Sequence, residues 1–558
     1  MRRRASRREP PELNEVLASL PLARSLRGQA PGAVRDDFAA GVTVGVLLIP
    51  QGMAYAMIAG LPPVYGLYAA LVPLAVYALL GTSRELAVGP VAMVALLVAN
   101  GVAPLAQGNA ERYLSLALAL SALVGGIQLL LGLVRGGFLV NLLSHPVLAG
   151  FTSAAAIIIA TSQLGELIGL ALAAGQASAV HPTTVVMGLM AIVSGVALRR
   201  FWPRLPGAML LVAAGTLLSW MASLADRGVD VVGQVPSGLP TPLLPGLTEG
   251  MSIAPSDVVD LMPVALAIAL VGFMESIAVA KVYASKGRYD IDPDQELKAL
   301  GLANLAGSAF QAFPVTGGFS RTAVNAQAGA RTQRSSLISV AVISITLLFL
   351  TPLFYHLPKA ILAAIIVVAV LGLVDVTGAR DLWRVDRRDF ALMGATFLAT
   401  LLLGIEEGIL VGAALSMVVV LHQITRPHIA ELGRIPGTRQ YKNLTRHPDA
   451  IVEKGIAIIR LDASLFYGNA EAFRSAARAA FARTAGSGPP ATRTLVIDAY
   501  PMNRVDSTGL HVLQQIIDEV HGEGGRVHLS GVKGPLHDKL SVGGVVDRIG
   551  PDRVFDEV

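Results

Sequence analysis

The sequence has no cysteine. A disulfide framework, a thiol nucleophile and a thiolate metal site are therefore excluded. Its ten histidines lie singly and no H-E-x-x-H occurs, so no metal site is expected. No G-x-x-x-x-G-K-S/T run is present, which removes the phosphate loop of an ATPase; no cofactor and no enzyme activity are expected. Charge is scarce as well. Asp, Glu, Lys and Arg make up 15% of 558 residues, against about 25% in soluble domains. What fills the chain instead is apolar, with 53% hydrophobic residues and a mean hydropathy of +0.60. Such a chain is a polytopic membrane protein, with the lipid bilayer as its solvent. Glycine, 57 of the residues, exceeds its usual share of roughly 7%, as close helix packing in a bilayer favours.

Residues 1–36 are polar and Arg-rich and lack an apolar run long enough for a signal sequence, so an uncleaved cytoplasmic arm is expected. Its basic residues suit a membrane surface, and no nucleic-acid partner is expected. Across 37–425, fourteen apolar stretches follow one another, and the loops between them alternate in charge. With the N-terminus inside, the inner loops hold Arg84, Arg135, Arg199, Arg200, Lys286, Arg288, Arg331, Arg334, Arg384 and Arg387. The outer loops are poor in base, Arg112 and Lys359 excepted. This alternation follows the positive-inside rule, accounts for the net charge of +5, and puts both chain ends in the cytoplasm beneath the plasma membrane. After Arg426 the composition shifts. Over 437–558, IAIIRL (456–461), TLVIDA (494–499) and 526–532 read as strands, and 470–482 and 508–521 as amphipathic helices, giving a small cytoplasmic α/β domain.

Two stretches break the pattern at membrane depth. QAFPVTGGFSRTAVN (311–325) holds a Pro, a Gly-Gly pair, Ser, Thr and Arg321. An Arg bare to hydrocarbon costs at least ~2.5 kcal/mol, so this stretch is expected to line a protein-enclosed site. The reading is an extended approach over 308–313, then a half-helix opened by Pro314, with Arg321 about two turns in. ELAVGPVAM (85–93), with Gly89-Pro90, is its counterpart in the first half. Paired interruptions at corresponding places in two halves point to inverted repeats and to half-helix N-termini facing an anionic solute.

Other polar groups sit within spans. Gln51 and Tyr55, one helical turn apart after Pro50, either face the site or make an interhelical hydrogen bond; Pro50 is expected to break its helix. Glu275 is the one acidic residue read as lying well inside a span. It is either a proton carrier or the partner of Arg321 in a structural ion pair. Arg321 in turn attracts the anion or neutralises Glu275. Lys281 snorkels. In DSTGL (506–510), Asp506 or Ser507 caps a helix.

These residues carry a resemblance. The stretch 50–90, PQGMAYAMIAGLPPVYGLYAALVPLAVYALLGTSRELAVGP, resembles the signature region of the sulfate permease (SulP) family of anion transporters, and FPVTGGFSRTAVN (313–325) its substrate helix. Residues 437–558 are similar to STAS domains, with Ser507 where related proteins carry a regulatory phosphoserine. The resemblance implies an α-helical protein of fourteen spans in a seven-plus-seven inverted repeat. A core of spans one to four and eight to eleven would move against a gate, in a homodimer. It also implies that Gly89, Pro90, Val91, Thr316, Gly317, Gly318 and Ser320 supply backbone N–H groups to the substrate, with Arg321, Gln51 and Tyr55 beside it. Glu275, where a sodium-coupled bicarbonate member has Asp, favours protons over sodium. The sequence departs from the pattern at Val315 and at Gly317-Gly318, where Gly-Ser is common. The function expected is secondary active transport of sulfate or small dicarboxylate oxyanions by proton symport. A bicarbonate/chloride exchanger and a sodium-coupled bicarbonate carrier are the alternatives, followed by a nucleobase permease and a membrane-tethered signalling module.

Overall fold

The computed structural model describes residues 21–26, 32–141, 144–169, 181–202, 207–243, 253–485 and 493–555. The chain forms two compact units, Met1–Ser416 and Met417–Val558.

The first helices are α1 (Pro21–Leu26), α2 (Ala33–Ile58), α3 (Val64–Ala69) and α4 (Val72–Leu80). A two-residue strand, β1 (Val88–Gly89), leads into α5 (Ala92–Ala106), followed by α6 (Ala110–Leu133), α7 (His145–Ser162), α8 (Leu164–Ile168), α9 (Pro182–Phe201) and α10 (Gly207–Met221). The second half opens with the long α11 (Pro255–Gly287) and α12 (Pro293–Ala309). Its own two-residue strand, β2 (Thr316–Gly317), leads into α13 (Phe319–Gln327). Then come α14 (Arg334–Ile345), α15 (Lys359–Val370), the amphipathic α16 (Val376–Val385), α17 (Arg387–Leu403) and α18 (Ile405–Thr425). Among the described residues, six helical stretches are long and apolar enough to cross a membrane: 33–58, 110–133, 145–168, 182–201, 255–287 and 334–354. The two broken segments are among the shorter ones.

Local chemistry starts these helices where they start. Asp292 accepts the N–H groups of Asp294 and Gln295 and Pro293 occupies the first turn of α12. Asn109 caps α6, and Asp375 and Asp386 cap α16 and α17. Each cap satisfies amides that have no partner inside the helix. Helices then approach closely through glycine. A Cβ on Gly301 of α12 would lie 2.5 Å from the Leu129 nitrogen of α6, a contact that only a hydrogen allows.

Buried carboxylates, which the sequence reading passed over, tie the two halves together. Glu296 of α12, wholly buried, accepts from the Tyr77 hydroxyl at 2.6 Å, the Thr82 N–H at 2.6 Å and the Ser83 N–H at 3.2 Å. Asp37 of α2 accepts from the N–H groups of Arg331 and Thr332 and from the Thr332 hydroxyl. Leaving any such partner unpaired costs the desolvation of a charge, so these sites fix the ends of both broken segments.

Three details correct the sequence reading. Helix α2 runs unbroken through Pro50, because one missing hydrogen bond is tolerated where neighbouring helices enclose the turn. Residues 308–309 still belong to α12, and the turn at Gln311 (φ 61°) ends it. Pro314 does not open a helix: Thr316 and Gly317 pair as a strand, so the helix waits until Phe319 and Arg321 lies in its first turn.

The second unit is a six-stranded sheet of β3 (Ile429–Arg434), β4 (Tyr441–Asn443), β5 (Ile456–Leu461), β6 (Thr494–Asp498), β7 (Arg526–Ser530) and β8 (Val554–Phe555). The strand order is β4-β3-β5-β6-β7-β8. The last four strands run parallel, and β3, which precedes residue 437, pairs antiparallel to β5. The main helices are α19 (Ala470–Ala482), α20 (Ser507–Gly522), α21 (Gly534–Val542) and α22 (Val545–Ile549). Phe473, Phe481, Ile516, Leu536 and Ile549 pack with Ile459, Ile497 and Leu529 of the sheet.

Candidate functional site

The two broken segments meet. Val88 pairs with Gly317 and Gly89 with Thr316 in an antiparallel register. From this crossing α5 and α13 depart, each leaving first-turn N–H groups without a carbonyl partner in its own helix. The backbone and side chains of the second half stitch the crossing shut. The Gly318 N–H donates to the Ala87 carbonyl at 3.1 Å. The Ala87 N–H donates to the Thr322 hydroxyl at 3.1 Å, and Asn325 Nδ2 to the Glu85 carbonyl at 2.8 Å. Arg321 Nη1 donates to the Pro90 carbonyl.

A buried polar network braces the crossing from behind. Asn304 of α12 brackets Val315, accepting from its N–H at 2.8 Å and donating to its carbonyl at 3.1 Å. Asn304 also bonds Gln128 of α6, which donates to the Ala269 carbonyl. On α11, Ser276 Oγ donates to the Gly272 carbonyl and accepts from the Gly317 N–H at 2.8 Å. The Thr316 hydroxyl lies on the same Gly272 carbonyl. Ser276 is the residue after Glu275, so this bond also fixes where Glu275 sits.

Arg321 is 2% exposed. Its guanidinium lies against two glycines: a Cβ on Gly318 would stand 2.8 Å from Cζ and Nη2, and one on Gly89 would stand 3.4 Å from Nη2. Arg321 Nε and Nη2 have no partner, and neither has Glu275 Oε2. Glu275 and Tyr55 are both within electrostatic reach of Arg321, yet Glu275 does not bond it. No salt bridge among the described residues joins the two side chains, although each lies in the other's field. Gln51 and Tyr55 are buried on one side of α2, and no hydrogen bond joins either side chain to another described residue. Lys281 is exposed.

The expected donors are redistributed. Gly317 and Gly318 give their N–H groups to Ser276 and Ala87. Pro90 has no N–H, and its carbonyl accepts from Arg321. Thr316 anchors to Gly272, and Val91 is the N-cap of α5. The ladder inside each helix begins with Ala95 N–H to Val91 and Thr322 N–H to Gly318. The unclaimed first-turn donors are therefore those of Ala92, Met93 and Val94 and of Phe319, Ser320 and Arg321. Ser320 is exposed. Gly89 and Gly318 make room for the guanidinium, and the N–H groups of Gly317 and Gly318 are already taken.

In the second unit Asp506 caps α20, accepting from the Gly509 N–H at 2.7 Å and the Tyr467 N–H at 2.9 Å. Ser507 is exposed in the first turn.

A braced crossing in a helical membrane protein, with an unpaired guanidinium and free amides at its centre, belongs to a transporter of anions. The chain belongs to the sulfate permease family, whose model matches residues 34–396, and a STAS domain model matches 447–558. A chloroplastic sulfate transporter, 4.1, of Arabidopsis thaliana is 37% identical over 94% of this chain and 78% of that protein. A probable sulfate transporter of Mycobacterium tuberculosis is 36% identical over 95% of this chain and 96% of that protein. The murine solute carrier 26 family member A9 anion transporter, in its inward-facing state, superposes with a TM-score of 0.87 at 26% identity, over 100% of this chain and 95% of that one. The transmembrane domain of a cyanobacterial bicarbonate transporter shares the fold, with a TM-score of 0.58 at 23% identity, over 69% of this chain and 98% of that one.

Proposed function

We propose that the protein is a proton-coupled symporter of small oxyanions, with sulfate as first cargo and small dicarboxylates as second, working by alternating access. The observation that carries this reading is the pair of unpartnered groups at the crossing, Arg321 Nε and Nη2 on one side and Glu275 Oε2 on the other. The adjacent guanidinium N–H groups form a fork that matches two oxygens of one oxyanion, and the first-turn amides of α5 and α13 add donors without charge. An ionised Glu275 would oppose that anion. Two like charges about 4 Å apart at an effective dielectric near 20 repel by about 4 kcal/mol, roughly a thousandfold in affinity. Protonated, the same carboxyl removes the repulsion and donates a hydrogen bond. Proton and anion then bind and leave together. The sulfate transporters among the relatives support sulfate as the cargo.

With this reading go fourteen spans in a seven-plus-seven repeat, a core carrying the crossing against a gate, a homodimer in the plasma membrane, and both termini in the cytoplasm. Residues 37–425 would transport and 437–558 would regulate, with phosphorylation of Ser507 adding negative charge at the start of α20. The test is radiolabelled sulfate uptake into proteoliposomes. An inward proton gradient should drive accumulation and a sodium gradient should not. Glu275→Gln, a permanent neutral mimic, should still exchange sulfate for sulfate but ignore pH. Uptake indifferent to pH in the unaltered protein, with stimulation by internal chloride or bicarbonate, would overturn coupling in favour of exchange.

A further inference from the structure

Helix α16 buries none of its ten residues. Its sequence, VTGARDLWRV, puts Val376, Ala379 and Trp383 along one side at helical spacing, and Thr377, Arg380, Asp381 and Arg384 along the other. Water satisfies the polar side. The apolar side is left without a partner: Val376 is 70% exposed and Trp383 53%. An open indole on a helix that joins two apolar helices, α15 and α17, calls for a neighbour that is neither water nor the rest of its own unit.

Basic residues border this apolar edge. Arg380 and Arg384 lie on α16, Arg387 and Arg388 open α17, and Arg199 and Arg200 lie in the last turn of α9. Tertiary structure brings the last pair here. Arg199 Nη1 donates to the Val368 carbonyl at 3.1 Å, and its Nη2 lies beside Gly372, where a Cβ would stand 2.5 Å away. Gly372 is four residues ahead of α16. Phe201 and Trp202, which follow Arg200, are 72% and 60% exposed. The Arg387 guanidinium covers the Trp383 ring at 5.5 Å, and that ring meets Phe390 edge-on at 4.9 Å between centroids. The indole is thus held where cations and apolar surface meet. All six arginines are exposed, and none of them makes a salt bridge among the described residues. Of the nearby carboxylates, Asp375 and Asp386 are spent as helix caps. That leaves Asp381 and Asp389 against six cations.

We propose that α16 lies in the plane of the bilayer interface and, with the end of α9, forms a seat for the headgroup of an anionic phospholipid. Acyl chains would cover Val376 and Trp383, and the guanidinium forks would take phosphate oxygens. Tryptophan at the depth of the headgroups and arginine beside it are what such an interface favours. A zwitterionic lipid offers the same phosphate but cancels its charge, so an excess of cations selects the net negative headgroup. The seat fastens the stretch between α15 and α17 to one leaflet, the cytoplasmic one in the orientation proposed above. It does not depend on which solute the crossing carries.

The test uses the protein's own fluorescence, since Trp202, Trp220 and Trp383 are its three tryptophans. In the full chain carrying Trp202→Phe and Trp220→Phe, Trp383 alone reports. This protein is reconstituted in phosphatidylcholine bilayers. Phosphatidylglycerol or phosphatidylcholine brominated close to the headgroup is then added at equal mole fraction. Brominated phosphatidylglycerol should occupy the seat about fivefold more readily than brominated phosphatidylcholine, read as quenching. Bromine near the chain end should quench less than bromine near the headgroup. Arg380→Gln, Arg384→Gln and Arg387→Gln together should bring the preference to about twofold or less, and the melting temperature of each variant checks its fold. Arg199→Gln with Arg200→Gln, on the other helix, should lower it to about threefold. Equal quenching by the two headgroups, or a preference that survives either set of glutamines in a folded protein, would overturn the headgroup seat. If no brominated lipid quenches Trp383, protein covers it, from a second copy or from Met417–Val558, and the interfacial placement falls too.

Discussion

Residues 88–94 and 316–322 enter the crossing as short strands, pair with each other, and leave as helices α5 and α13. Their backbones are near equivalents, and each brings three unclaimed amides. Their side chains are not equivalent. From Val88 to Val94 every side chain is apolar or absent, whereas the second half brings Ser320, Arg321, Thr322 and Asn325. Under the function proposed above, the shared backbone would attract any anion, and the one-sided guanidinium with Glu275 would decide geometry and coupling. Stitching is one-sided too, since the second half supplies the side-chain donors and acceptors and the first half answers with backbone atoms of Glu85, Ala87 and Pro90.

Removing the asymmetric charge is the largest blow to this arrangement. Arg321→Ala leaves the paired strands and all six amides, yet deletes two charge-assisted bonds to the anion. Sulfate affinity should fall by about 3 kcal/mol, roughly a hundredfold, in a binding assay on purified protein. Arg321→Lys should recover only part, because an ammonium is a point charge without the planar fork. Affinity kept within threefold in Arg321→Ala would mean that the symmetric amides alone hold the anion.

The two glycines against the guanidinium sharpen the comparison. A Cβ at Gly318 falls 2.8 Å from Arg321 Cζ and Nη2, so the flexible end of that side chain must move. The fold should survive while the fork is displaced, and sulfate affinity should drop by about tenfold with little change in melting temperature. A Cβ at Gly89 meets the same group at 3.4 Å, ordinary contact distance. Gly89→Ala leaves the fork in place and should cost about twofold or less in affinity, while backbone strain at its φ of 159° lowers the melting temperature. Equal losses at both positions would show that the amides, not the placement of Arg321, set affinity.

Much of this was legible in the chain. Pro90, Pro314, the glycines and Arg321 at membrane depth announce interrupted segments, because only an enclosed site tolerates them. What escaped was how the backbone uses its donors. Strand pairing consumes the Gly317 and Gly318 region and pushes the helix start to Phe319, a tertiary event that local residue preferences do not encode. Asn304, Gln128 and Ser276 brace the site from α12, α6 and α11, and each reads singly as a polar residue in an apolar run. Glu296 and Asp37 sit near span ends and pass for surface charges until Tyr77 and Thr332 are seen to cover them. In the second unit the strand runs were plain, but β3, ahead of residue 437 where the sequence reading begins the domain, escaped because IAELGR is polar for a strand held between β4 and β5.

The smallest expected effect lies in that second unit, where charges are managed in the opposite way. At the crossing, charges are left unpaired. At the end of β5, Asp462 accepts from Arg460 Nε at 2.6 Å and bonds His428 Nδ1 at 2.9 Å. Partial burial pushes the Asp462 carboxyl up, but the hydrogen bonds from Arg460 and His428 outweigh it and hold the carboxyl below the usual aspartate range. A depressed carboxyl stabilises the fold above its unfolded value, about 3.9, and loses that contribution as pH falls below it toward the folded value. Asp462→Asn should therefore lower the melting temperature of the second unit slightly at neutral pH, and this difference from the unaltered protein should shrink on acidification through that range. The pair is half-open to solvent, so the shift should be at most a few degrees. A difference that stays constant from neutral pH down past that range would show that Asp462 contributes by shape and not by charge.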